Sequence, residues 1–274
     1  MNACLDLVFE PTVKVHESER LEETLKLMME KAARTALVYD RNGVFRGPAY
    51  LHEILELMYL SSRPIIEMLS LEMGSFVNQK YRLINADLQR NLLLKEAVGI
   101  KAWENVLLAS NGEVKGALGL RGLAALLNRV KPSWGYELYS LMGQLDIFLA
   151  PNTTIKGVMR ELSSNAAGVM VVHRRGKALG IIDEFTVLKT LLEEETMRRI
   201  RQMDEDYFYY TTVATVMDRE FPWVLESWGV EKMTRMISQH GYLLALKNAE
   251  TRCIAAFISD RTAVSIISQV IAKL

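Results

Sequence analysis

The side chains best suited to catalysis are few and scattered. His16, His52, His173 and His240 show neither an i,i+4 helical pair nor the spacing of a zinc site, so no metal ion is expected. Cys4 and Cys253 lie at opposite ends of the chain and do not read as a disulfide framework. Cys253 with His240 would make a nucleophile and base only in a cleft with a third, orienting group, and the sequence announces none. Cys253 falls in an apolar run and reads as a small buried strand residue. Gly116-x-x-Gly119-x-x-Gly122 has the wrong spacing for a dinucleotide fingerprint. What remains suits anion binding. His173-Arg174-Arg175 occupies a turn, read either as a solvated loop or as a reach towards a phosphate at a cleft mouth. Arg261 follows Ser259-Asp260 at the start of the last helix, where free backbone N–H groups favour an anion. No nucleophile, base and oxyanion donor come together, so no catalytic residue is named and no enzymatic activity is expected.

Charge narrows the partners further. The 274 residues carry 33 Lys+Arg and 33 Asp+Glu, with 17 of each in residues 1–137 and 16 of each thereafter. Neither half has the basic surplus that phosphate backbones require, so nucleic acid is not expected as a partner. No run approaches 18 apolar residues, so no membrane span is expected. The first six residues lack the basic and apolar segments of a secretory signal, and a cytoplasmic location is expected. With half its residues hydrophobic, the chain has ample apolar surface for two domains or one large one.

The elements that must position these groups form a repeat. A strand–turn–strand pattern recurs at residues 36–47, 106–116, 169–180 and, more weakly, 243–250 running into 253–256. The turn glycines Gly43, Gly112 and Gly176 are 69 and 64 residues apart, and Ala249 follows 73 residues later. Asn42-Gly43 and Asn111-Gly112 are strong hairpin signals because both residue types tolerate positive φ. Upstream of each hairpin lies an amphipathic helix. Leu21, Leu25, Met28, Met29 and Ala32 share one face after Ser18, a candidate N-cap. Leu88, Leu92, Leu93 and Val98 make a second stripe; Ile155, Val158, Met159 and Leu162 a third; Val230, Met233, Met236 and Ile237 a fourth. Short extended runs precede them at 12–15, 81–83, 146–150 and 223–225, and helices follow the hairpins, for example over 51–60 and 264–272. Each unit therefore reads β-α-β-β-α.

Three further features stand out. The helix after the third hairpin is predicted to run unbroken over about 184–203, with Glu194→Arg198 and Glu195→Arg199 pairs along it. The breakers in Lys131-Pro132-Ser133-Trp134-Gly135 mark the expected seam between the second and third units. Tyr207-Phe208-Tyr209-Tyr210 reads either as core at a junction or as an exposed aromatic patch for a partner.

Four β-α-β-β-α units whose hairpins close on Gly-hydrophobic-hydrophobic resemble CBS domains, named after cystathionine β-synthase. The third copy carries the resemblance best: Leu141-Met142 as a lead-in, Pro151-Asn152-Thr153-Thr154-Ile155 opening the helix, Ala167-Gly168-Val169-Met170-Val171-Val172, then Leu179-Gly180-Ile181-Ile182. The fourth contributes Val216-Met217-Asp218 and Phe257-Ile258-Ser259-Asp260-Arg261. The resemblance implies an α/β protein of small mixed sheets with helices, organised as two paired modules. The first would cover residues 1–130, with repeats at about 5–60 and 65–128; the second 131–274, with repeats at about 138–203 and 212–274.

The resemblance also implies a function. Such domains regulate without catalysis and commonly hold adenosine-containing ligands in clefts between paired repeats. AMP, ADP, ATP or S-adenosylmethionine is the expected ligand, an effector protein of unknown identity the expected partner, and a homodimer the expected state. In nucleotide-binding members a strand Gly is followed three residues on by Ser or Thr, which helps hold phosphate, and six on by Asp, which accepts from the ribose hydroxyls. Here the three-on positions are Tyr50, Gly119, Asp183 and Ser259, and the six-on positions Glu53, Gly122, Thr186 and Thr262. Ala256 replaces the glycine of the fourth copy, and no copy has both the hydroxyl and the acid. The candidate ligand residues are Glu53, Gly180, Asp183, Thr186, Ser259, Arg261, Thr262, His173 and Arg174. Asp183 and Ser259 read equally as helix N-caps. The alternative function is a scaffold that has lost its ligand and serves self-association or protein docking.

Overall fold

A computed structural model describes residues 9–101, 104–140, 147–165 and 167–274. The first repeat comprises β1 (Thr12–His16), α1 (Leu21–Glu30), β2 (Thr35–Tyr39), β3 (Phe45–Tyr50) and α2 (Leu51–Leu60). A link through α3 (Ile65–Leu69) and a 3-10 turn leads to the second: β4 (Leu83–Asn85), α4 (Arg90–Glu96), β5 (Val106–Ser110), β6 (Glu113–Leu118) and α5 (Leu120–Val130). After α6 (Gly135–Tyr139) the third repeat runs through β7 (Phe148–Leu149), α7 (Ile155–Asn165), β8 (Val169–Arg174), β9 (Lys177–Asp183) and α8 (Glu184–Leu192). Helices α9 (Glu194–Arg201), α10 (Asp206–Tyr209) and α11 (Val213–Val216) connect it to the fourth: β10 (Val224–Leu225), α12 (Val230–His240), β11 (Leu243–Asn248), β12 (Cys253–Ile258) and α13 (Asp260–Ile271). Among the described residues no helix is long and apolar enough to cross a membrane.

In every repeat the first strand pairs parallel to the second, and the second antiparallel to the third. Repeats one and two keep separate three-stranded sheets, whereas Cys253 of β12 pairs with Lys177 of β9 and joins repeats three and four in one six-stranded sheet. The middle strands, Thr35-Ala36-Leu37-Val38 for instance, are buried on both faces. Their continuous apolar runs follow from helices on one side and a neighbouring repeat on the other. At the second hairpin Asn111 and Gly112 both take positive φ, 53° and 79°, which the mirror-type turn requires. The fourth hairpin lacks glycine and is closed by Asn248, whose Oδ1 accepts from the N–H groups of Glu250 and Thr251.

The strand glycines admit the lead-in of the neighbouring repeat. An added Cβ at Gly47 would lie 2.7 Å from Val77 Cγ1, and one at Gly180 would lie 2.6 Å from the Asp218 carbonyl; Gly116 faces the ring of Phe9. The backbone follows: Glu10 N–H donates to Ala117 O, Asn78 N–H to Pro48 O, and Ile181 and Asp218 exchange two bonds of 2.9 Å. Repeats one and two thus swap lead-ins. The proposed lead-in Leu141-Met142 lies outside the described residues, as does Cys4.

The apolar cores run across residue 130. One joins repeats one and three, with α2 packed on α7 and α8 and with Leu55, Met58, Val158 and Leu188 buried between them. The other joins repeats two and four, where α5 packs on α12 and α13 around Leu123, Leu127, Met233 and Ile267. A small cluster of Leu37, Leu107 and Ala117 closes the space between the first two sheets.

Several sequence expectations change. The helix over 184–203 breaks at Glu193, whose extended backbone (φ −57°, ψ 138°) lets α9 turn back and bury Met197 and Ile200; an unbroken rod would carry them away from the core. Glu195 takes both Arg198 (2.6 Å) and Arg199 (3.0 Å). Ser18 does not cap α1: Arg20 bridges to Glu72 and holds the chain extended up to Leu21, while the Ser18 hydroxyl engages His16 Nδ1 at 2.8 Å. In the second stripe Leu92 is 50% exposed and Leu94 takes its place in the core, because α4 is only seven residues long and ends before a full face develops. The aromatic tetrapeptide divides by side, with Phe208 buried and Tyr207 and Tyr210 exposed, and Cys253 is half-buried at the sheet junction.

Replacing Gly180 by Val should destabilise the protein by about 2 kcal/mol or more, since backbone as well as side chain blocks the new atoms. Urea denaturation checks this, with a shifted midpoint expected.

Candidate functional site

The repeats converge on one polar centre. The residue just before the second strand is Arg34, Asn105, Gly168 and Tyr242 in the four copies, and the first residue of the closing helix is Leu51, Leu120, Glu184 and Asp260. All but Leu51, Gly168 and Glu184 line a cavity of about 300 Å³, together with Glu10, Arg121, Asp183, Phe185 and His240. Every repeat contributes to its wall.

Charged groups meet across the repeat boundaries. Glu184 is 1% exposed and accepts from His52 Nδ1 at 2.8 Å, with Arg34 Nε 3.6 Å from its other oxygen. That other oxygen, Oε2, accepts no hydrogen bond among the described residues. Burial opposes ionisation of Glu184, but the His52 hydrogen bond and the Arg34 charge outweigh it and hold the carboxyl below its ordinary range. His52 Nδ1 therefore carries the proton it donates. Arg34 also lies 3.6 Å from Asp183, and the carboxylates around it outweigh burial and keep it charged. Asp260, 1% exposed, accepts from Gly168 N–H with both oxygens (3.1 and 2.9 Å) and from Arg261 N–H. Burial raises its pKa to about 6. Arg121 forks onto Glu10 through Nε and Nη2. Burial, with the Arg121 charge beside it, pushes the His240 imidazole pKa down, and burial pushes the Tyr242 hydroxyl up. Gly168 is required by space, since a Cβ there would lie 2.7 Å from Asp260 Oδ2.

A groove of about 600 Å³ opens on the far side of Asp183, between Thr186 and Lys189 of α8 and the lead-in residues Met217 and Asp218. A further groove of about 710 Å³ continues past Thr190 to the exposed Tyr207 and Tyr210.

The sequence-derived candidates distribute unevenly. Asp183 lines both the cavity and the first groove, and Thr186 the groove. Both are already engaged, since Thr186 N and Oγ1 each donate to Asp183 Oδ1 at 2.8 Å and cap α8. Ser259 caps α13 through Thr262 N–H. Glu53, at the position where ribose would be held, accepts from Asn78 Nδ2 at 2.7 Å, so the lead-in of the second repeat fills that cleft. Gly180 is covered by Met217 and Asp218. His173 packs against Phe148 with the ring centroids 4.7 Å apart and the planes tilted by 55°, and neither it nor the exposed Arg174 or Arg261 lines the cavity. Sequence reasoning missed Arg34, His52, Glu184 and the buried role of Asp260. The available signal was charge at two equivalent repeat positions that apolar flanks, such as Ile181-Ile182 and Phe257-Ile258, carry into the interior. Among the described residues no group of three or more His, Cys, Asp or Glu side chains is arranged to hold a metal ion.

Two outcomes follow. His52→Ala leaves Glu184 short of a donor and should cost about 3 kcal/mol, much of it recovered in the double variant with Glu184→Gln, as a denaturant double-mutant cycle would show. Asp260 binds its proton more tightly in the folded chain, so its contribution is full below pH 4 and is lost as pH rises towards about 6. The loss is about 3 kcal/mol at most, and Asp260→Asn should flatten that part of the pH–stability curve.

No family model matches the chain, and no curated protein matches it. Solved structures do. MJ1225 from Methanocaldococcus jannaschii superposes with a TM-score of 0.79 at 13% identity, over 97% of this chain and 99% of that one. An uncharacterised conserved protein from Pyrococcus horikoshii gives 0.54 at 13% identity, over 97% and 100%. The CBS domain pair of MJ0100, in complex with 5′-methylthioadenosine and S-adenosyl-L-methionine, gives 0.35 at 14% identity over 49% of this chain and 94% of that one. The chain has the fold of tandem CBS repeats, four in succession.

Proposed function

We propose that this protein is a non-enzymatic regulatory module that binds an adenosine-containing ligand in the cavity where its four repeats meet, and passes the bound state to a partner protein. The observation that carries the reading is the concentration of charge at that point. Packing alone needs no Arg34, Asp183, Glu184 and Asp260 between repeats, and burying Glu184 and Asp260 fully and Arg34 and Asp183 in part costs free energy that apolar residues would spare. Carboxylates suit ribose hydroxyls as acceptors, and Phe185 and Tyr242 add aromatic surface to the lining. The adenosine class comes from the CBS resemblance, and the cavity supports it by size, at the lower end of ligand-pocket volumes.

Coupling follows from the position of the walls. Arg34 and Arg121 belong to the first two repeats, Asp183 and Asp260 to the last two. A ligand touching both sets binds one relative arrangement of the pairs better than another, and that difference is all the free energy available to alter a partner's state. A second reading, a ligand-free scaffold, draws on the Asn78–Glu53 bond that fills the first cleft.

Thermal melting of the full chain against adenosine, AMP, ADP, ATP and S-adenosylmethionine tests the first reading. At least one ligand should raise the midpoint by a few degrees at saturating concentration, and Asp183→Asn, which weakens an acceptor for the ribose hydroxyls, should reduce the shift. No shift with any of them leaves the scaffold reading.

A further inference from the structure

The acidic wall decides which adenosine derivative fits, an inference that rests on the reading just given. Three carboxylates, Glu10, Asp183 and Asp260, line the cavity, and Glu184 stands behind them in contact with Arg34. Against them the lining offers two guanidiniums. Arg121 is committed to Glu10 through two donors. Arg34 sits 3.6 Å from both Asp183 and Glu184. His240, beside Arg121, has its pKa lowered by burial and by that neighbouring charge. The basic residues that would greet a phosphate, Arg174 and Arg261, are not among the lining residues. A phosphate entering here meets more negative charge than positive and finds its cationic partners already paired.

We propose that the cavity selects an adenosine derivative without phosphate, neutral or positively charged at its 5′ end, and rejects adenine nucleotides. A cationic 5′ substituent, a sulfonium or an amine, would be drawn to the surplus carboxylates that repel a phosphate. The ribose hydroxyls would donate to the same carboxylates. The ligand's charge, rather than its base, is then the property sensed.

Isothermal titration of the full chain near pH 7.5 with adenosine, S-adenosylmethionine, AMP and ATP reads the selectivity. Adenosine and S-adenosylmethionine should bind, AMP at least tenfold more weakly than adenosine, and ATP more weakly still. Raising the salt concentration should narrow the gap. Glu10→Gln, which removes one carboxylate and releases Arg121, should raise the ratio of AMP affinity to adenosine affinity about five- to tenfold. Asp260→Asn should move the ratio in the same direction and serves if the first variant folds poorly. AMP or ATP binding as tightly as adenosine overturns the selectivity while leaving the adenosine reading intact. Failure of all four ligands to bind overturns both.

Discussion

The closing helices α2, α5, α8 and α13 each present an apolar face that their own repeat's sheet does not cover. Burying those faces requires repeat one to stack on repeat three and repeat two on repeat four, and the two large cores show that arrangement. Once the helices pack this way, the N-terminal ends of α5, α8 and α13 line the central cavity, and His52 near the start of α2 meets Glu184. Backbone N–H groups at such ends favour negative charge, which suits Glu184 and Asp260 as first residues of α8 and α13. The central cavity is thus a consequence of the way the apolar faces are covered.

A buried ionic cluster is poor evidence for stability, because desolvating each charge offsets most of the attraction. The geometry here is better understood as specifying one arrangement. His52 of repeat one holds Glu184 of repeat three, and Gly168 of repeat three holds Asp260 of repeat four. Each bond crosses a repeat boundary, and each would leave an unsatisfied buried group if the repeats slid. The same logic applies at the lead-ins, where Glu10, Asn78 and Asp218 bond to the strand of a neighbouring repeat over a glycine that leaves them room.

The four copies have diverged towards different tasks. In the first, Asn78 occupies Glu53. In the third, Asp183 and Thr186 are spent on capping α8, and in the fourth Ser259 caps α13 through the Thr262 N–H. The peripheral clefts are therefore largely satisfied from within, and the unbalanced charge lies in the middle. Beside that centre a polar groove runs along α8 to Tyr207 and Tyr210.

Much of this was legible in order along the chain. Hairpin signals at Asn42-Gly43, Asn111-Gly112 and Gly176, helical stripes such as Ile155-Val158-Met159-Leu162, and the cap residues Asp183 and Ser259 depend on neighbours a few positions away, which a sequence displays directly. Local chemistry determined the four β-α-β-β-α units and their approximate ends. Only the tertiary structure decided the break at Glu193, the stacking of repeat one on three, and the meeting of Arg34, His52, Glu184 and Asp260. Those features depend on residues more than a hundred positions apart being brought within hydrogen-bonding or ion-pairing distance. No local pattern marks His52 as the partner of Glu184, because only the burial of α2 against α8 puts the imidazole there.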